Sequence, residues 1–258
     1  MDKFRSWLDF VRFTGSVDHR FRYVHTDKTR EFLETLVKTS FKRYRVFDTK
    51  EVLWRAQLGC ANRKRKLGEV VEDHEIVVEH QIPYPASRMK PLQHTAKEGR
   101  VNPKGIPALY LTTDIKTAIA EVRPWVGSYV SLGKFKLMRN LKVVDFSKED
   151  NTSLGYYAEE PTSKHRTSII WAQIGQIFSM LVSDDPSTAC YAPTQIIAET
   201  FHQQGFDGLV YKSSLGPGLN VAFFSLDAAD VVTRSLDQVE SVSFCSKKVS
   251  SGRRGKPA

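Results

Sequence analysis

Cysteine is scarce in this chain of 258 residues: Cys60, Cys190 and Cys245 lie far apart, with no CxxC pair and no histidine at metal-ligand spacing beside them. Neither a disulfide framework nor a zinc site is indicated, and the three are expected to be free thiols. The seven histidines, among them His80, His94, His165 and His202, form no metal motif, so no metal is expected. Long apolar runs are missing too. The longest, from Ser168 to Val182, is broken by Gln173 and Gln176 and is too short to span a bilayer. Lys3, Arg5 and Asp9 are scattered through the first residues with no apolar stretch behind them, so no secretory signal is expected and a cytoplasmic protein is. No GxGxxG follows a strand pattern, and there is no P-loop, HExxH or GxSxG, which leaves Rossmann, nucleotide-triphosphatase, zincin and hydrolase-elbow chemistry without support.

What the chain has is apolar content, 41%, enough for a sizeable core, and a formal charge of +9. The charge alone suggests nucleic acid, but its placement argues against that. Lys247, Lys248, Arg253, Arg254 and Lys256 fall in a tail without acids, and removing it takes +9 to +4. Residues 241–258 are expected to be a disordered basic tail. A second basic run, Arg63 to Lys66, gives way at once to acids between Glu69 and Glu79 and reads as a solvated excursion. The chain is read as lacking basic stretches interleaved with aromatics.

Residues 1–48 read as a helical extension packed on the core, with apolar stripes Phe4, Trp7, Leu8, Val11 and Phe32, Leu33, Leu36, Val37. A strand follows at 51–57, and alternation sets Leu53, Arg55 and Gln57 on one face. Residues 58–98 form a long insertion, with a strand expected at 75–78 and a proline-containing loop after it, whose length suits a lid-like role. The run Gly99 to Pro124 packs a polar loop, a strand at 108–111 and a helix opened by Thr113 and Asp114 and stopped by Pro124. Glu121 falls in the last turn of that helix, where the macrodipole disfavours a carboxylate by about a few tenths of a kcal/mol. Strands at 129–137 and 141–146, helices at 169–181 and 192–204, and strands at 206–211 and 219–224 complete an α+β domain of 49–240 with a mixed or mostly antiparallel sheet.

The polar set left over is Arg55, Arg100, Asn102, Tyr110, Glu121 and Ser213. Two arginines suit a phosphate-bearing substrate. Tyr110 can stack on a planar ring while its hydroxyl bonds, and a carboxylate can stabilise an oxocarbenium-like centre. Cleavage of a nucleotide N-glycosidic bond needs those tools.

Several runs carry a resemblance. They are Leu53-Trp-Arg-Ala56, Gly99-Arg-Val-Asn-Pro-Lys-Gly105 with Ala108-Leu-Tyr-Leu111, Thr117-Ala-Ile-Ala-Glu-Val-Arg-Pro124, Tyr191-Ala-Pro-Thr-Gln195, Gly205-Phe-Asp-Gly208, and Tyr211-Lys-Ser213 with Asn220-Val-Ala-Phe-Phe224. In order and spacing, over about residues 50–225, the chain resembles the RES domain family, named for its Arg, Glu and Ser. The resemblance implies an ADP-ribosyltransferase-like fold and Arg55, Glu121 and Ser213 as catalytic residues. Arg100, Asn102, Tyr110 and Asn220 would then bind NAD as substrate. It also implies a toxin that consumes NAD by hydrolysis or by phosphorolysis with inorganic phosphate, held by an Xre-type antitoxin. Two alternatives stay open: ADP-ribosyl transfer to a protein or nucleic acid, and a non-catalytic basic nucleic-acid-binding module. On this reading Glu121 lies near Arg55 and Ser213.

Overall fold

The computed structural model describes residues 3–71, 74–93, 95–148, 152–180, 191–243 and 245–246, with the side chains of 65–78 outside the description. Among these residues ten strands form: β1 Tyr44–Phe47, β2 Val52–Leu58, β3 Ala61–Val71, β4 His74–Ile82, β5 Leu109–Thr112, β6 Tyr129–Leu137, β7 Leu141–Asp145, β8 Gly208–Lys212, β9 Leu219–Phe223 and β10 Ala229–Gln238. Five helices accompany them: α1 Asp9–His19, α2 Asp27–Thr39, α3 Ile115–Glu121, α4 Ser163–Ser179 and α5 Ala192–Gln203. This is the expected α+β class. Eight strands make one sheet in the order β1-β7-β8-β9-β5-β2-β6-β10, and β3 and β4 form a separate hairpin. Among the described strands only β7 and β8 run parallel. A parallel pair needs a long crossover, and α4 and α5 lie in it.

The sheet has a seam. β2 pairs with β6 along its whole length, and β5 with β9 along its own, but β2 and β5 meet at a single pair, Trp54 with Thr112. Beyond that pair the two strands are not paired with each other, which opens the middle of the sheet.

Burial follows the apolar pattern. On one face, α4 and α5 bring Trp171, Ile174, Phe178, Ile197 and Phe201 against Leu209 and Ala222, and the N-terminal helices add Phe13, Phe32 and Leu36 to the same cluster. Phe13 and Phe32 stack with ring centres 4.7 Å apart. The other face buries Leu53, Leu109, Leu111, Phe135 and Phe223. Beside the seam, Ala118, Ile115, Ile119 and Val122 of α3 pack on Trp54, Ala56, Val130 and Leu132.

The structure departs from the sequence reading in four places. The first helix starts only at Asp9, and the residues before it form a separate turn in which the Asp9 carboxylate accepts the backbone N–H groups of Arg5 and Ser6. Its buried stripe is accordingly Phe10, Phe13 and Val17, while Val11 is 51% exposed. The basic run at Arg63 to Lys66 lies on a strand, β3, and pairs with β4, which takes in the strand expected at 75–78, so that Lys64 meets Glu79 at 3.4 Å. Finally, β1 and β10 have no counterpart in the sequence reading. Both are edge strands; β1 leaves Tyr44 and Val46 half-exposed, and β10, pairing only with β6 among the described strands, turns mostly polar residues outward. Most of the expected tail lies outside the described residues. Among those described, no helix is long and apolar enough to cross a membrane.

Candidate active site

Asp114, as the cap of α3, accepts the Thr117 N–H at 2.8 Å and starts the helix on the seam side of the sheet. Seven residues later the helix ends at Glu121, and Arg123, at φ +46°, turns the chain away before Pro124. An arginine rarely adopts that left-handed region. The termination leaves Glu121 exposed at the open end of the helix.

Two strands approach that carboxylate. Ser213, just past the end of β8, donates to Glu121 Oε1 at 2.8 Å, and Asn220 of β9 donates to the same oxygen at 2.7 Å. Glu121 Oε2 makes no hydrogen bond among the described residues. The loop between β8 and β9 is stapled to α3. Thr117 Oγ1 accepts the Gly218 N–H at 2.8 Å, and Thr113 Oγ1 accepts the Leu219 N–H at 2.9 Å. The fit is close: a Cβ on Gly216 would stand 2.8 Å from the Thr117 backbone. Ser214 extends the loop the other way and donates to the Ser179 carbonyl at the end of α4.

A tyrosine group lies beside this. Tyr110 on β5 donates to Asn102 Oδ1 at 2.6 Å and accepts the Val101 N–H at 3.1 Å. Burial, with the neighbouring Tyr211 and Tyr191, pushes its pKa far up, so its hydroxyl stays a donor. Burial does the same to Tyr211, which also feels the Glu121 carboxylate. Gly99 touches the Tyr110 hydroxyl, since a Cβ there would come within 2.5 Å of it.

Asn102 is 3% exposed and directs its amide to the Lys97, Pro103 and Ile106 carbonyls, so it reaches the site only by holding Tyr110. Gln195 of α5 fixes the same loop through the Gly99 and Asn102 carbonyls. Arg100, expected at phosphate, directs its guanidinium to the Ile177, Phe178 and Met180 carbonyls and so closes the C-terminus of α4.

Arg55 sits on β2 across the unpaired stretch from Tyr110. Alternation turns it to the side of β2 opposite Trp54 and Ala56, which pack on α3, and it makes no ion pair with Glu121. Thus Glu121, Ser213 and Asn220 are brought into contact, while Arg55 stands apart, within electrostatic range of Tyr110. Its Nη1 is buried without a hydrogen-bond partner. Desolvation pushes the guanidinium down to about 10. A buried unpaired cation costs on the order of several kcal/mol, which an arriving anion would offset.

Thr117, Tyr211 and Gln195 belong to this assembly and are absent from the expected site residues. A signal for them exists in the sequence: all three lie in the runs that carry the family resemblance. Among the described residues no group of three or more His, Cys, Asp or Glu side chains is placed to hold a metal ion.

Among curated proteins none matches the chain. A solved structure, that of the M. tuberculosis MbcT-MbcA toxin-antitoxin complex, aligns at 12% identity with a TM-score of 0.32, over 72% of this chain and 87% of that one. A likeness at that level carries no argument about fold or function. The family described as RES domain matches residues 75–244, a stretch holding Tyr110, Glu121, Ser213 and Asn220 together, and with more than half its length matched the chain belongs to the RES domain family.

Proposed function

We propose that the protein cleaves the bond between nicotinamide and ribose in NAD and acts as the toxin of a toxin–antitoxin pair. One observation carries the chemistry. A carboxylate is fixed through one oxygen by Ser213 and Asn220 and keeps the other unbonded among the described residues, beside a seam where the buried Nη1 of a guanidinium has no hydrogen-bond partner. Membership of the RES family supports an NAD-acting enzyme. On this reading Arg55 takes a pyrophosphate oxygen across the seam, since arginine donors match phosphate geometry. Tyr110, with its ring set by Asn102 and Val101, lines the nicotinamide end.

The C1′–N1 bond breaks with its electron pair going to the nicotinamide nitrogen, so nicotinamide leaves neutral. Glu121 Oε2 stabilises the ribosyl cation that forms, an electrostatic effect worth most in the transition state. Water then adds at C1′ with loss of a proton, giving ADP-ribose, or inorganic phosphate adds, giving ADP-ribose 1″-phosphate. Ser213 and Asn220 hold the carboxylate so that little reorganisation accompanies the step.

The catalytic unit on this reading is 49–240, taking in β2 ahead of the matched stretch, with 1–48 as an extension docked on it. The partner is an Xre-type antitoxin, and the site of action is the cytoplasm. The test is nicotinamide release from NAD by purified protein, with and without phosphate, followed chromatographically. Turnover is expected to fall by about 100-fold or more in Glu121→Gln, the size of effect seen when a transition-state electrostatic partner is removed. Wild-type protein as inert as the variant under every condition would sink the proposal. Labelled ADP-ribose retained on a macromolecule would move the acceptor from a small molecule to a protein or nucleic acid.

A further inference from the structure

The linker from α1 to α2 keeps its large apolar side chains out of the core. Phe21, Tyr23 and Val24 are 48%, 89% and 77% exposed, so two aromatic rings and an aliphatic group stand in solvent at one loop. Their neighbours are cations. The run His19-Arg-Phe-Arg-Tyr-Val-His25 contains no acid and alternates arginine with an aromatic. This is the interleaved pattern that the sequence reading takes to be lacking. Unfolded chains tolerate such runs, but here the backbone is fixed between two packed helices.

A groove of about 1000 Å3 adjoins the loop, lined by residues 3–5, α1 and α2. Its charges do not cancel. Each acid on its walls has a cation: Asp9 pairs with Arg12, Glu31 with Arg5, and Asp27 with Arg30. Three of its cations, Lys3, Arg20 and Lys28, have no acidic partner among the described residues. The floor is apolar, with Phe4, Phe13 and Phe32 beneath. Positive charge along a groove, next to exposed rings, is the combination by which proteins hold single strands: cations track the backbone and rings stack on bases. A duplex hides its base faces and gives the rings nothing to stack on. A folded acidic protein would satisfy the cations and leave Tyr23 without a flat partner.

We propose that the α1–α2 loop and the adjoining groove bind single-stranded nucleic acid, with Phe21 and Tyr23 stacking on bases and Lys3, Arg20 and Lys28 holding phosphates. The surface is separate from the residues assigned to NAD chemistry, and the proposal stands or falls independently of that assignment.

The experiment is fluorescence anisotropy of the full chain with labelled 12-nucleotide oligo-U, oligo-dT and a duplex of equal length. Binding of the single strands is expected to weaken roughly 20-fold between 50 and 200 mM salt if three phosphates are neutralised. Phe21→Ala/Tyr23→Ala, which removes two exposed rings, is expected to weaken binding about tenfold or more and to leave the salt slope in place. Arg20→Glu/Lys28→Glu is expected to flatten the slope. Unchanged melting temperatures confirm that both variants fold. No binding of either single strand at 50 mM salt overturns the proposal. Binding that is equal for the duplex, or indifferent to both variants, also overturns it, the latter result assigning the affinity to the basic C-terminal run.

Discussion

Replacing Arg55 by methionine should make the protein more stable and unable to recognise its substrate. The guanidinium is buried, its Nη1 has no partner, and its pKa falls from 12.5 to about 10 by desolvation. At about 1.4 kcal/mol for each tenfold change in proton affinity, keeping the charge costs the fold about 3 kcal/mol. Methionine preserves an unbranched stem and removes the charge, and loss of some guanidinium packing trims the gain to about 1–3 kcal/mol. For a chain of this size each kcal/mol moves the midpoint by about 2–4 °C, so the expected rise is roughly 3–8 °C.

The pH dependence has a definite sign. The folded state binds this proton less tightly than the unfolded state, so the cost is complete below about pH 10 and fades as pH rises from there towards 12.5. Between pH 6 and 9 the gap between variant and wild type should therefore be constant. Differential scanning fluorimetry across that range measures it. Repeating the melt with millimolar ADP-ribose gives the second half: the wild type should gain stability from the ligand and the variant should not. A variant that melts 3 °C or more below wild type would refute the reasoning, because it would mean that Arg55 Nη1 already has a partner in the folded protein.

Other perturbations report on how the carboxylate is held. Thr117→Val deletes the acceptor for the Gly218 N–H and the donor to Asp114; a loss of about 1–2 kcal/mol in denaturant melts is expected, with kcat falling and KM nearly unchanged. Asn220→Ala removes one of two donors to a charged oxygen at the surface, so turnover should drop by roughly 10–100-fold while the melting midpoint stays within a degree or two. Gly99→Ala drives a methyl group into the Tyr110 hydroxyl, which two hydrogen bonds already fix, and an expected destabilisation of about 1–3 kcal/mol should accompany a rise in KM; a silent variant would show that the loop can move freely.

The parts of the fold that are legible in the sequence are those where local pattern and tertiary use agree. Thr113 and Asp114 before Ile115, and Pro124 shortly after Val122, define a helix in isolation, and in the structure Asp114 caps α3, which ends three residues before Pro124, while the Thr113 hydroxyl serves the β8–β9 loop. Gly205, at φ +79° after α5, is another such case. The first helix is misframed by its sequence because Trp7, Leu8 and Val11 look like a stripe, whereas residues 5–8 form a separate turn held by the Asp9 carboxylate. β10 escapes notice since an edge strand with one solvent face, carrying Asp230, Arg234 and Asp237, has little apolar alternation to read.

At the site, Glu121 can be singled out because it is poorly placed for its helix, and the family resemblance puts it near Ser213, which donates to it in the structure. Asn102 and Arg100 are legible as polar loop residues but not in what they do. Which carbonyls a side chain finds depends on a helix 77 to 80 residues away in sequence for Arg100, and no spacing rule encodes that. The separation of Arg55 from Glu121 is equally hidden, for it follows from a seam between β2 and β5 that only the three-dimensional pairing reveals.

Arg100 matters to that seam in a way its contacts alone do not express. The last carbonyls of α4 carry the negative pole of a 17-residue helix, equivalent to about half an electronic charge, and they end near Tyr211 and the Ser213–Ser214 loop. Left bare, that pole would repel any phosphate-bearing molecule approaching the carboxylate. With the guanidinium laid across them the wall becomes neutral or slightly positive, so a dianionic visitor meets an electrostatic blind where it would otherwise meet a barrier.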